Sequence, residues 1–262
     1  MNNYSNGTNQ NNNYGYNYQN SNYTNGYPND NFYNDYAYQA AKLNLRETLA
    51  QEVVAKSFMF MLIALLISTV AALTTSPFMV LNLMSGGGFL LLVVAELVIV
   101  FVSNRAIRKN NPVLAGVLFA IYSYINGVTL SVIFLAYSGT TIISAFAVTA
   151  LTFGIMAVYG LVAKKDLTKI GNMLLMALIG ILISSFVNII IFRSSMFDTV
   201  IDAVVILVFI GITAYDTQRI KKSIAISNDN NVLCLSLNGA FQLYLDFINI
   251  FLRVLSILGR RK

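Results

Sequence analysis

An all-α integral membrane protein, built as a bundle of seven transmembrane helices, is the fold class this sequence predicts. Three observations predict it. Of 262 residues, 56% are hydrophobic and only 11% charged, against roughly 25% charged in soluble domains. The apolar residues gather into seven stretches, each near the roughly twenty residues that cross a bilayer. Cations cluster in alternate connections between those stretches, the pattern of a multi-pass protein. The chain has no His and one Cys, Cys234, which excludes Cys/His zinc sites, intrachain disulfides and imidazole catalysis. A net charge of +6 on so apolar a chain points to membrane topology and not to nucleic acid. No cofactor is implied.

Residues 1–43 read as a disordered, Asn/Tyr-rich tail, and 44–262 as the transmembrane domain. The first forty residues hold fourteen Asn and nine Tyr, no Lys or Arg, and only Asp30 and Asp35 as charges. Nothing there closes a core, and the basic start and apolar run of a signal peptide are missing. The segment NLRETLAQE, Asn44 to Glu52, suits a short interfacial helix. The seven spans then run from about Ser57 to Ser76, Gly87 to Ser103, Pro112 to Tyr137, Thr140 to Ala163, Ile170 to Phe192, Met196 to Thr217, and Gly239 to Leu258. Pro112 opens the third, where proline is tolerated. Asn238-Gly239 is a breaker dipeptide that opens the seventh. Gly86-Gly87-Gly88 lacks the Lys and Ser/Thr of a phosphate loop and reads as a flexible outer turn.

Lys and Arg orient the bundle. Lys42, Arg46 and Lys56 precede the first span. Arg105, Arg108 and Lys109 follow the second, Lys164, Lys165 and Lys169 the fourth, and Arg219, Lys221 and Lys222 the sixth. The alternate connections carry only Arg193. This asymmetry places the N-terminus in the cytoplasm, at the plasma membrane of a bacterium or the endoplasmic reticulum of a eukaryote. Arg260, Arg261 and Lys262 run against the rule, so the seventh span either crosses despite them or re-enters.

Ionisable residues inside spans cost about 2.5–3.5 kcal/mol each on insertion scales and mark function by default. Glu96 in the second span, Asp216 in the sixth and Asp246 in the seventh qualify. Asp198 and Asp202 lie at the outer end of the sixth and read as a solvated rim, with a cation-attracting mouth as the alternative. Asp216 and Asp246 lie at similar depth on adjacent helices. Two carboxylates in one dry site cannot both ionise cheaply, so they titrate as a unit. Arg105 and Arg108 are the candidate cationic partners, with plain positive-inside anchoring as the alternative. Arg253 shares a face with Asp246 but lies about two turns deeper. Thr213, Tyr215, Thr217 and Gln218 surround Asp216 in sequence, and Asn249 falls three residues from Asp246 on one face.

AYDTQRIK around Asp216 and LYLDFINIFLRVL around Asp246 resemble the signatures of the Bax inhibitor family of transmembrane proteins, including its bacterial YccA-like members. NPVLAGVLFAIYSYINGVTLSVIF resembles that family's third span, and the likeness extends over about Leu45 to Gly259. The resemblance implies seven helices with the last one central. It implies a pH-sensitive calcium leak, in which an aspartate pair opens or closes a pore against a second-helix arginine. Asp216 and Asp246 match that pair and are the residues expected to contact calcium. Glu96 matches the family's acid in the second span, while Arg105 and Arg108 share the arginine assignment. The implied role is ion homeostasis with stress resistance or suppression of cell death. SNDNN lengthens the loop between the two aspartates relative to compact members.

Two other classes compete. Intramembrane aspartyl proteases place a Tyr-Asp on one helix and a second Asp on the next, and Tyr215-Asp216 fits the first half. The second motif should carry GxGD, but Tyr244-Leu245-Asp246 stands there, and no Pro follows Pro112 to supply a Pro-Ala-Leu element. No enzyme is therefore expected. A regulatory membrane protein is the remaining class, acting on a partner such as a membrane-bound protease without transport. Gly154 and Gly160, or Gly171 and Gly180, would serve helix packing within the bundle or contact with that partner.

Overall fold

A computed structural model of the chain describes residues 23–24, 27–28, 30–76, 78–79, 81–82, 88–188, 195–226 and 231–260. The residues expected to form the glycine-rich turn before Gly88, most of the SNDNN segment, and Arg193 lie outside them. The chain divides into two compact units, Met1–Leu45 and Arg46–Lys262. In the first, Tyr23–Thr24 pairs antiparallel with Tyr27–Pro28, and helix α1, Asp30–Thr74, begins. Residues 34–45 of that helix are exposed. Helix α1 thus starts inside the segment expected to be a tail, and the interfacial helix expected at Asn44–Glu52 is continuous with the first span. Neither Gly nor Pro interrupts Asp30–Thr74, so nothing stops the helix there.

The second unit continues with α2 (Gly88–Arg108), α3 (Pro112–Leu130), the single turn α4 (Ile133–Ala136), α5 (Gly139–Val162), α6 (Thr168–Val187), α7 (Ser195–Ile226) and α8 (Val232–Gly259). Among the described residues, seven helices are long and apolar enough to cross a membrane, α3 and α4 together making the third. Local chemistry sets the ends. Asn110 takes a positive φ of 56°, a conformation in which Asn is enriched. Asn111 then caps α3 by accepting from Leu114 N, with Pro112 in the first turn. Ser138 accepts from Thr141 N to open α5, and Asn231 accepts from Cys234 N to open α8.

The last helix therefore begins at Val232 and not at Gly239. Asn238-Gly239 does not break it. Gly239 is needed for close approach: a Cβ there would stand 2.6 Å from Ser57 Oγ on α1 and 2.9 Å from Ile220 on α7. At 28 residues, α8 is about 42 Å long, more than the roughly 30 Å hydrocarbon core. Its Gly239 end abuts Ile220 of α7, and its Arg253 and Arg260 bind Asp202 near the start of α7. The two helices thus run antiparallel along their length.

Helix α8 is the core of the bundle. Leu243, Tyr244 and Ile250 are fully buried, and the helix packs against α7, α5, α3 and α2, with α1 reaching it through Ser68 and Tyr244. Helix α6 packs on α7. Lipid tails are as apolar as the helices, so packing rests on close backbone contact. A Cβ on Gly160 of α5 would sit 2.3 Å from the Ala214 carbonyl oxygen of α7, so only glycine allows that crossing. Outward faces carry the exposed Leu, Ile, Val and Phe, among them Leu91, Phe101, Ile143 and Leu207, as a lipid-facing surface requires.

Candidate functional site

The α7–α8 seam follows a seven-residue spacing. On α7 it runs Asp202, Phe209, Asp216; on α8 it runs Gly239, Asp246, Arg253, Arg260. Seven residues turn a helix almost twice, so each set shares one face. All three α7 residues are buried, as are Gly239 and Asp246. Because the helices are antiparallel, Asp246 comes beside Thr213, about one turn from Asp216 along α7, and the two carboxylates act on each other electrostatically. Their relative exposures are 8% and 4%.

Asp246 Oδ2 is buried with no hydrogen-bond partner. Thr213 stands beside this carboxylate, yet its hydroxyl donates to the Phe209 carbonyl at 2.8 Å. A bare carboxylate oxygen in a dry site is costly, and a proton or a cation removes that cost. Among the described residues no group of three or more Asp, Glu, Cys or His gathers. Calcium takes about six to eight oxygen ligands, more than two carboxylates supply.

Arg219, exposed one turn beyond Asp216, is the cation whose field acts on it. Arg105 and Arg108 sit exposed in the last turn of α2. The ion pairs among the described residues are Glu52–Lys56, Asp166–Lys222, Asp202–Arg253 and Asp202–Arg260, and neither of the two α2 arginines belongs to one.

Glu96 lies half-buried in a different polar cluster. It accepts from Thr129 Oγ1 at 3.5 Å, near Asn126. Tyr244 donates to Asn126 Oδ1 at 3.1 Å and stands 2.6 Å from Ser68 Oγ, which donates to the Ser123 carbonyl at 2.8 Å. That cluster joins α1, α2, α3 and α8, not the α7–α8 seam.

The polar residues next to Asp216 in sequence turn away from it. Tyr215 packs its ring on Gly171 of α6. Gln218 is buried and clamps the α5–α6 turn: its Nε2 donates to the Ala163 and Lys165 carbonyls, and its Oε1 accepts from Leu167 N at 2.9 Å. Asn249 donates to the Leu245 carbonyl of its own helix at 2.8 Å. Thr213 alone of the Asp216 neighbours reaches the pair. In that clamped turn, Asp166 bonds to Thr168 and pairs with Lys222 at 3.0 Å, which holds its carboxyl at about 2, below the usual carboxylate range.

Asp202 is not a solvated rim residue. It is 2% exposed, and Arg253 and Arg260 reach it from α8. Its neighbour Asp198 accepts from Asn188 Nδ2 at 2.6 Å. The sequence signal for this cluster was the repeated spacing of Gly239, Asp246, Arg253 and Arg260, opposite acids at the same interval on α7. Of the glycines flagged for packing, Gly160 and Gly171 face α7, while a Cβ on Gly154 or Gly180 would meet nothing within 4 Å.

Seven membrane-length apolar helices, the last forming the core and carrying a buried acid, define a multi-pass α-helical membrane protein. The family model described as Inhibitor of apoptosis-promoting Bax1 matches residues 50–262, and the chain belongs to that family, the Bax inhibitor-1 family. It is 42% identical over 173 residues to the inner membrane protein YbhL of Escherichia coli K12, covering 65% of this chain and 74% of that one. An uncharacterized protein of Borreliella burgdorferi is 38% identical over 213 residues, covering 79% and 91%. An uncharacterized membrane protein of Streptococcus pyogenes serotype M1 is 40% identical over 167 residues, covering 64% and 72%.

Proposed function

We propose that the protein is a pH-sensitive cation leak, with calcium as the ion, gated by Asp216 and Asp246. The observation that carries this reading is the buried, unpartnered Asp246 Oδ2, on a carboxylate within electrostatic reach of a second buried one on α7. Near neutral pH the pair keeps one negative charge and one proton, and sharing that proton ties α7 to α8. Acidification neutralises the pair and removes that attraction, and the population shifts towards a seam loose enough for a cation to pass. Arg219, one turn from Asp216 on the same helix, is the cation whose field acts on that charge.

The basic turns after α2, α5 and α7 face the cytoplasm in this reading, with the N-terminus on the same side. The physiological role is release of ions that limits stress, in line with the family's link to cell-death suppression. The test is calcium flux into proteoliposomes that hold the purified full-length chain and no other protein. Flux that rises with acidification supports the leak. Absence of flux across the pH range contradicts it and leaves regulation of a partner, such as a membrane-bound protease, as the function.

A further inference from the structure

The seam that holds the aspartate pair has a second charged centre at its far end. The Asp202 side chain is 3% exposed and both of its oxygens are engaged. Oδ1 accepts from Arg253 Nη1 at 2.9 Å. Oδ2 accepts from Ser256 Oγ at 2.7 Å and from Arg260 Nη2 at 3.1 Å. Arg260 also donates to Thr199 Oγ1, so its guanidinium grips α7 at two points. The arginine side chains are 39% and 36% exposed, and the excess positive charge therefore faces outward at this end of the bundle.

Register connects the two centres. Asp202 stands fourteen residues before Asp216 on one face of α7, about 21 Å along the axis. Arg253 follows Asp246 by seven residues on one face of α8, about 10 Å further along. At one end of the seam two buried carboxyl groups act on each other, with one oxygen left bare. At the other end opposite charges meet, and the carboxylate is saturated.

We propose that Asp202, Arg253 and Arg260 form a second closure of the α7–α8 seam, in series with the aspartate pair. The proposal rests on the leak reading above. A cation leaving the pair along the seam meets two guanidinium charges and a carboxylate already committed to them. It passes only when the arginines part from Asp202. A pair with one deeply buried partner is costly to leave half-made, so this closure has two states and does not loosen by degrees. The same contact gives Arg260, one of the C-terminal cations that run against the charge rule, an acidic partner.

The test compares acid-induced calcium flux in proteoliposomes of wild type, Arg253→Gln, and the double variant Asp202→Asn/Arg253→Gln, each full length. Both variants are expected to raise the acid-induced flux several-fold without moving the pH of half-maximal flux. In a Cys234→Ser background, Thr199→Cys/Arg260→Cys joined by a cleavable bifunctional thiol reagent should hold the closure shut. Acid-induced flux then falls to background and returns on cleavage, which keeps the test decisive where an arginine variant does not fold. Wild-type flux with acid, unchanged in both variants and undiminished by complete cross-linking, overturns the closure and leaves the leak reading intact. A displaced pH profile in Arg253→Gln also overturns it, since the cluster would then belong to the pH sensor. Wild type without acid-induced flux overturns both.

Discussion

Arg253 of α8 donates to Asp202 of α7 at 2.9 Å, one heptad from Asp246 along α8 and two from Asp216 along α7. The last two helices are thus held by attraction at one end of their seam and carry paired acids at the other. Stability and function are divided between these ends, and several outcomes follow from the division.

Removing the cation should cost more than removing the acid. In Arg253→Ala the buried Asp202 keeps its charge and loses a donor, whereas in Asp202→Asn the arginines turn to the outside, where they are already over a third exposed. A lost charge-assisted bond to a buried carboxylate is worth about 1.5–3 kcal/mol. Thermal unfolding in detergent should show Arg253→Ala lower than Asp202→Asn. The reverse order would mean that Asp202 is better solvated than its burial indicates.

Glycine substitutions should separate the helix crossings from open faces. Gly160→Ala drives a methyl to 2.3 Å from the Ala214 carbonyl, a backbone atom that cannot rotate away, and should cost about 1–3 kcal/mol. Gly180→Ala meets nothing within 4 Å and should be neutral or stabilising by about 0.5–1 kcal/mol. Melting curves of the two variants check this. Equal effects would contradict the close α5–α7 approach.

Gln218→Ala should destabilise the turn between α5 and α6 by about 1–3 kcal/mol, because three backbone groups lose their partner. It should leave the pH dependence of flux in place, since Gln218 faces the turn and not the aspartate pair. Hydrogen exchange at Leu167 reports the first effect and proteoliposome flux the second. A flattened pH profile would assign Gln218 to the sensor.

Asp166 gives the sign check on pH. Its folded value of about 2, set first by the Thr168 hydroxyl and then by Lys222, lies below the ordinary carboxylate value near 3.9. Its contribution is therefore complete above that ordinary value and is lost only as pH falls through about 2. Acid activation in the mildly acidic range cannot come from this exposed contact. Asp166→Asn should leave the pH of half-maximal flux where it is, and a displaced midpoint would show that the turn takes part in gating.

The architecture was legible because apolar stretches of membrane length are a one-dimensional signal, as is the alternation of cations between them. Helix ends were less so. Asn238-Gly239 reads as a breaker from residue type, yet Gly239 is a contact residue whose missing Cβ admits Ser57 and Ile220, a fact of tertiary packing. The α7 helix runs on to Ile226 because nothing after Thr217 in that helix interrupts it.

At the site, Asp216 and Asp246 stood out as charges in apolar runs. Their neighbours did not sort themselves by sequence distance, because each residue advances about 100° around a helix. Tyr215 and Gln218 consequently face α6 and the α5–α6 turn. Asp202 was hidden by its position near a helix end, where water usually solvates an acid. Its burial comes from two arginines more than fifty residues away, and only the seven-residue spacing on both helices foreshadowed it.

The central claim is that Asp216 and Asp246 act as one proton-sensitive unit. The most direct measurement is calcium flux into proteoliposomes across pH for wild type, Asp216→Asn, Asp246→Asn and the double variant, at equal incorporation of folded protein. Each single substitution should flatten the pH dependence, and the double variant should add little to either, as expected for two groups that titrate together. Unaltered pH dependence in both single variants would contradict the claim and leave the two aspartates as structural groups of the seam.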